Sequence, residues 1–231
     1  MAETALIVGA GSGLSASLAR LFAKEGMRVA LAARDTSKLA SLVKETGGFA
    51  VACDASEPAQ VEAMFSAVEK KWGVPDLVVF NAGYRVRGPF VGLDPAEVER
   101  TIRITGYAGF LVAQGAVKRM LARGAGAIFF TGASASIKGY AESAPFAMGK
   151  FALRGLAQSM ARELSPKGIH VAHFVIDGGI SAGANDSRSQ AGGASGMLLP
   201  DEIAKNYLHV YRQHRSAWTW EVELRPWVEH F

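Results

Sequence analysis

Five residues near the start, Gly9-Ala10-Gly11-Ser12-Gly13, lie between an apolar run, Leu6-Ile7-Val8, and an amphipathic stretch with Leu14, Leu18, Leu21 and Phe22 on one side. Glycines let a chain turn tightly and bring bare backbone close to a ligand, and a helix that starts there adds free N–H groups and the positive end of its dipole. The combination suits a pyrophosphate. Much further along, Phe146 and Lys150 stand four positions apart. On a helix that spacing puts both side chains on one face. A lysine there, taken out of water, shifts its pKa readily, and could hold a hydroxyl or pass a proton. The phenyl ring at 146 can fill space but can neither give nor take a proton.

The elements that must position these residues alternate from the first residues onward. Apolar strand patterns read at Leu6–Val8, Arg28–Ala32, Phe49–Ala52, Asp76–Phe80, Gly126–Thr131, Ile169–Ile176 and Trp218–Leu224. Helical patterns fall between them. The first ends at Gly26, the second runs over Asp35–Glu45, and a third, capped by Ser56, ends near Trp72. Pro95–Arg123 reads as a long helix broken near Gly106 and Gly109, followed by Pro145–Leu164 and Pro200–Gln213. Strands that are apolar throughout are buried on both faces. The expectation is a Rossmann-type, doubly wound α/β fold: a mainly parallel seven-stranded sheet with helices on both faces, in one domain spanning 1–231. The glycine- and serine-rich stretch Gly178–Gly196 lacks either periodicity and reads as a mobile loop over the site.

The second strand ends in Leu31-Ala32-Ala33-Arg34. A dinucleotide site commonly has a carboxylate there for the ribose 2′-hydroxyl. An arginine instead makes paired, charge-assisted bonds with a 2′-phosphate. NADP is therefore expected in preference to NAD. Asp35 is a competing carboxylate whose other role is a helix cap.

With 231 residues the chain can bury a full core. Its net charge of +4 is spread along the sequence without a Lys/Arg block, which argues against a nucleic-acid groove. The lone Cys53 excludes an internal disulfide or a multi-cysteine zinc site, and reads as a small buried residue. The histidines and carboxylates lack the convergent spacing of a metal site. His170 and His173, on opposite faces of the sixth strand, read as core residues. The N-terminal residues have no basic leader, and Ala5–Ala10 is too short to span a bilayer, so a cytoplasmic protein without membrane association is expected.

In order, Gly9-Ala10-Gly11-Ser12-Gly13, Asp54, Asn81-Ala82-Gly83, the Phe146/Lys150 frame and Asp177-Gly178-Gly179-Ile180 resemble the short-chain dehydrogenase/reductase family over essentially the whole chain. The resemblance implies roles by position. Gly9, Gly11, Ser12, Gly13 and Leu14 would surround the phosphates, and Arg34 the adenosine ribose. Asp54 and Ala55 would meet the adenine. Asn81 would brace the sheet, with Ala82 and Gly83 near the ribose. Lys150 would bond the nicotinamide ribose, the Ile180 backbone would reach the carboxamide, and Gly178 would line the cofactor site. Ser134 would polarise the substrate oxygen, although the family's spacing favours Ala133 by one residue.

Departures from the pattern cluster around catalysis. Ser15 stands for the loop's third glycine, Asp177 for a proline, and Thr105 for an asparagine of the proton relay. Phe146 stands for the tyrosine that is the family's general acid/base. Candidate substitutes for the missing hydroxyl are Tyr140, Tyr107 and Lys150 itself; Lys138 reads as a solvated loop charge. Tyr84, Arg85 and Tyr140 would line a cleft for a small-molecule substrate. The aromatics Trp218, Trp220, Trp227 and Phe231 suit a homodimer or homotetramer contact or an intramolecular core. The expected function is an NADP(H)-dependent oxidoreductase acting on a carbonyl or alcohol with an altered proton relay. Its rivals are an inactive NADP-binding sensor or partner subunit, and an enzyme reducing an activated double bond.

Overall fold

The computed structural model describes residues 2–182, 186 and 196–228. Seven strands form one sheet: β1 (Thr4–Val8), β2 (Arg28–Ala33), β3 (Phe49–Ala52), β4 (Leu77–Phe80), β5 (Gly126–Thr131), β6 (Ile169–Ile176) and, after a short separate pair (β7 and β8, below), β9 (Glu221–Leu224). Their order is β3-β2-β1-β4-β5-β6-β9, and every pair is parallel. Their side chains alternate between two cores, as the twofold period of a strand requires. Leu6, Val78, Ile128 and Phe130 point one way, into a core closed by α3 (Pro58–Trp72), α5 (Ala108–Arg123) and α6 (Ala144–Leu164). Ile7, Val79, Ala127 and Phe129 point the other way, toward α1 (Leu14–Lys24), α2 (Ala40–Thr46) and α7 (Pro200–Tyr211). Helices therefore cover both faces, and the strand order reverses direction at β1/β4, the arrangement of a Rossmann-type sheet.

The expected long helix is interrupted. It comprises α4 (Pro95–Ile102), a π-turn at Arg103–Tyr107 and α5. The interruption lies against α6, where a Cβ on Gly149 would come within 2.8 Å of Thr105 Cβ. Only a bare Cα lets the two segments approach at the turn that carries Lys150.

Several boundaries differ from the sequence expectation. Ser56 does not cap α3; Glu57 holds that position, and the Ser56 hydroxyl donates to Asp54 Oδ1 at 2.7 Å. The second helix begins later, after a 3-10 turn at Ser37–Leu39, and Asp35 accepts from Ser37 N and Oγ in the turn before it. The last strand begins only at Glu221, and the Trp218 ring before it stacks on His170, with centroids 4.6 Å apart. Within the stretch read as a loop, Gly179–Ile180 (β7) pairs in parallel with Met197–Leu198 (β8). A pair two residues long leaves no periodicity to detect. The remainder of that stretch, 183–185 and 187–195, and Phe231 lie outside the described residues.

Candidate functional site

The loop between β1 and α1 is held by the neighbouring strands. Gly9 N and Ala10 N both donate to Ala32 O, at 3.0 and 2.9 Å. Gly9 has φ +84°, and a Cβ there would lie 2.5 Å from Ala82 N, so this glycine is required by the fold itself. Gly11 and Gly13 differ: a Cβ on either would meet nothing within 4 Å. Their bareness serves no contact inside the protein, and the α1 N-terminus at Gly13 has no side-chain cap. Those are the properties an approaching anion uses.

Ser15, read from the sequence as a mere replacement for a glycine, joins two parts of this loop. It is buried, its hydroxyl donates to Gly9 O at 3.1 Å, and it accepts from Asn81 Nδ2 at 2.7 Å. Asn81 thereby braces the end of β4 against the glycine turn.

Two cavities open at the carboxyl ends of the strands. The first, about 320 Å³, is lined by Gly9, Ala10, Arg34, Asp54, Ala55, Asn81, Ala82 and Gly83 among others. Of the other residues expected there, Gly11, Ser12 and Gly13 lie outside its lining and Leu14 packs its side chain into the core, so Gly11, Gly13 and Leu14 offer backbone groups only while exposed Ser12 adds a hydroxyl. Burial pushes the Asp54 carboxyl up, but the Ser56 hydroxyl and backbone N–H, with Arg34 and Arg103, hold it below the usual carboxylate range. Cys53 is buried, and burial pushes its thiol up to about 11, so it is inert at neutral pH. Lys38, which has no role in the sequence reading, also lines this cavity from the 3-10 turn at Ser37–Leu39, four positions after Arg34.

The second cavity, about 550 Å³, shares Asn81 and Gly83 with the first. It is lined by Tyr84, Arg85, Arg87, Ser134, Tyr140, Phe146, Lys150, Gly178 and Ile180 among others. Lys150 is buried and its Nζ donates to Thr131 O at 2.7 Å; burial pulls its pKa down from 10.5 to about 8. Two cations lie over the Phe146 ring, with Arg85 5.3 Å and Lys150 5.7 Å from its centroid. Ser134 and Ala133 both face the cavity, and of the two only Ser134 brings a hydroxyl. Ser136 is buried beneath them and accepts from Ala133 N.

The candidate hydroxyls fare differently. Tyr84 lines the cavity but its OH donates to Glu97 at 2.7 Å, which, with burial, raises its pKa. Tyr107 lies outside the cavity lining and stacks against Phe110 on the surface. Thr105 takes up Tyr84, accepting from its N–H at 3.2 Å. Lys138 is not a solvated charge as expected; it pairs with buried Asp177 at 3.1 Å. Tyr140 lines the cavity and is half-exposed. His170 and His173 are buried on opposite faces as expected. His173 Nδ1 lies 3.0 Å from Glu221 Oε2, and Glu221 also receives two bonds from Arg154 at 2.7 Å. No group of three His, Cys, Asp or Glu among the described residues could hold a metal ion.

Comparison with known proteins places this geometry in context. The sequence model of the family described as short chain dehydrogenase matches residues 3–191. The chain is 31% identical to (+)-borneol dehydrogenase 1 of Salvia officinalis over 231 residues, covering 93% of this chain and 88% of that protein. A crystal structure of a short-chain dehydrogenase from Rhodopseudomonas palustris superposes with a TM-score of 0.83 at 36% identity, over 97% of this chain and 99% of that one. A metagenomic short-chain oxidoreductase in complex with NADP gives 0.83 at 27% identity, over 97% of both chains.

Proposed function

Given that the chain belongs to the short-chain dehydrogenase family and is a short-chain oxidoreductase by that kinship, we propose that it binds NADP(H) in its first cavity and acts on a carbonyl or alcohol in its second. The observation that carries this is the junction: the two cavities meet at Asn81 and Gly83, with buried Lys150 and the Ser134 hydroxyl beside them. The uncapped mouth of α1, the open space around Gly11 and Gly13, and the exposed Arg34 with no carboxylate at its own position fit a phosphorylated dinucleotide. Bound there, NADPH supplies a hydride from its nicotinamide C4.

The chain's own residues then divide the work. Arg34, with Lys38 near it, selects the 2′-phosphate. Asp54 and Ala55 meet the adenine. Lys150 would orient the ribose, Ser134 would polarise the substrate oxygen, and the Ile180 backbone would meet the carboxamide, with Gly178 beside it. Phe146 takes the place of the family's catalytic tyrosine, packing beside the reacting centre without exchanging a proton. With the Tyr84 hydroxyl given to Glu97 and Tyr107 outside the cavity, the proton comes from Lys150, Tyr140 or water.

The missing hydroxyl also supports a second reading. General acid/base help is worth about 100- to 10,000-fold in rate. Its loss suits an inactive NADP-binding sensor or partner subunit, or an enzyme that reduces an activated double bond. The chain is taken as one nucleotide-binding domain over 1–231. It has no described helix long and apolar enough to cross a membrane, and a cytoplasmic location is part of the proposal. Exposed Tyr107, Phe110, Met148 and Phe151, on and beside α5 and α6, and Trp227 near the C-terminal end favour a homodimer or homotetramer.

Two measurements test this. Calorimetric titration should give a lower Kd for NADPH than for NADH; equal or reversed affinities would remove the Arg34 assignment. NADPH consumption by the parent and Phe146→Tyr over aldehydes, ketones, quinones and activated alkenes separates the readings. Turnover by the parent excludes the sensor, and turnover by the variant alone supports it.

A further inference from the structure

We propose that the second cavity is an oxyanion-recognition site, and that the substrate carries a carboxylate or phosphate ester held by Arg85 and Arg87. This rests on the oxidoreductase reading above and names its substrate class. Arg85, Arg87 and Lys150 all line that cavity, and no aspartate or glutamate among the described residues does. Of the neighbouring carboxylates, exposed Glu142 lies outside the lining, next to Ser143 and joined through its carbonyl to Gly88 N, and Asp177 and Glu97 are already committed. Asp177 is buried and pairs with Lys138 at 3.1 Å and Arg225 at 3.4 Å. Glu97 pairs with Arg100 at 3.3 Å and accepts from Tyr84.

Neither Arg85 nor Arg87 forms an ion pair among the described residues. Arg85 instead rests over the face of Phe146 at 5.3 Å. An aromatic face attracts a guanidinium but leaves its five N–H donors unspent. A concave site holding three cations and no anion concentrates negative ligands. A guanidinium fork meets a carboxylate or phosphate with two parallel hydrogen bonds. The ring at 146 thus has a role that its lack of a hydroxyl does not impair: it fixes the arginine that meets the substrate's charge.

The probes are benzoate, phenyl phosphate and uncharged methyl benzoate, titrated by calorimetry into NADPH-saturated protein. The NADPH titration is run first and reports on the cofactor reading by itself; if NADPH does not bind, the same probes are titrated into free protein, so the two ideas fail separately. Benzoate or phenyl phosphate should bind at least tenfold tighter than methyl benzoate, and the stronger of the two names the oxyanion. Arg85→Gln and Arg87→Gln should each weaken the charged probe about tenfold and leave methyl benzoate unchanged. Both arginines are exposed, so both variants are expected to fold; circular dichroism checks this. Equal binding of charged and uncharged probes, or variants that bind the oxyanion as the parent does, would overturn the proposal.

Discussion

Replacing Lys150 with methionine should make the ligand-free protein more stable at neutral pH while removing a group the proposed function needs. Lys150 is 5% exposed, and its environment pulls the pKa from 10.5 to about 8 by burial. In the unfolded chain the amine keeps its proton up to 10.5, whereas the folded protein loses it near 8. Between those values the unfolded state binds more protons, so stability rises as pH rises. Below pH 8 both states are charged and folding bears the whole cost of burying the ammonium. Each pH unit inside the window is worth about 1.4 kcal/mol, which makes the full effect about 3 kcal/mol.

The substitution also strands Thr131 O, whose bond from Nζ is worth about 1 kcal/mol. Lys150→Met should therefore exceed the parent by about 2 kcal/mol at pH 7. By pH 9 the parent should recover about 1 kcal/mol of that gap. Urea denaturation of both proteins from pH 7 to 10 measures it. Cys53, Tyr207 and Tyr211, whose pKa values burial raises, titrate in the opposite sense at the alkaline end, but they do so in both proteins and cancel in the difference. A gap that stays constant from pH 7 to 10 would refute the reasoning, because the burial of Lys150 would then carry no linked proton.

Arg34→Ala should raise the Kd for NADPH about 10- to 100-fold, as expected for losing charge-assisted bonds, and leave the NADH value unchanged by calorimetry. Gly9→Ala should destabilise by about 3 kcal/mol in urea titrations, because its φ of +84° and the 2.5 Å approach to Ala82 N leave a Cβ no room; a variant as stable as the parent would remove that steric account. His173 is fully buried, and burial, opposed by Glu221, brings its pKa down from 6.5 to about 4. As pH falls below 6.5 the unfolded chain takes a proton that the folded protein refuses, so about 2 kcal/mol should be lost by pH 5. His173→Gln should flatten that acid limb in thermal melts.

The order of elements was legible because it rests on local periodicity. Leu6-Ile7-Val8 and Asp76–Phe80 are apolar throughout, as strands covered on both faces must be, and the glycine turn between β1 and α1 follows from adjacent residues. Phe146 and Lys150 face one cavity because four residues make about one helical turn. That Arg34 lines the first cavity was readable for a similar reason, since it directly follows β2, whose position is set by its own apolar run. Where local signals were short, they misled: β7 and β8 are two residues each, and Ser56 serves Asp54 rather than a helix.

Partnerships between distant residues were decided only by the tertiary structure. Ser15 meets Asn81 across 66 positions, and Lys138 meets Asp177 across 39. Tyr84 turns its hydroxyl to Glu97, and Arg85 lies on Phe146. No pattern in the chain encodes these pairs, because each depends on how β4, the π-turn and α6 pack together. The sequence by itself set which groups are present and the order of the elements that carry them. Packing set which charges are spent on one another and which remain for a ligand, since burial and distance, rather than residue type, decide what a charge can still do.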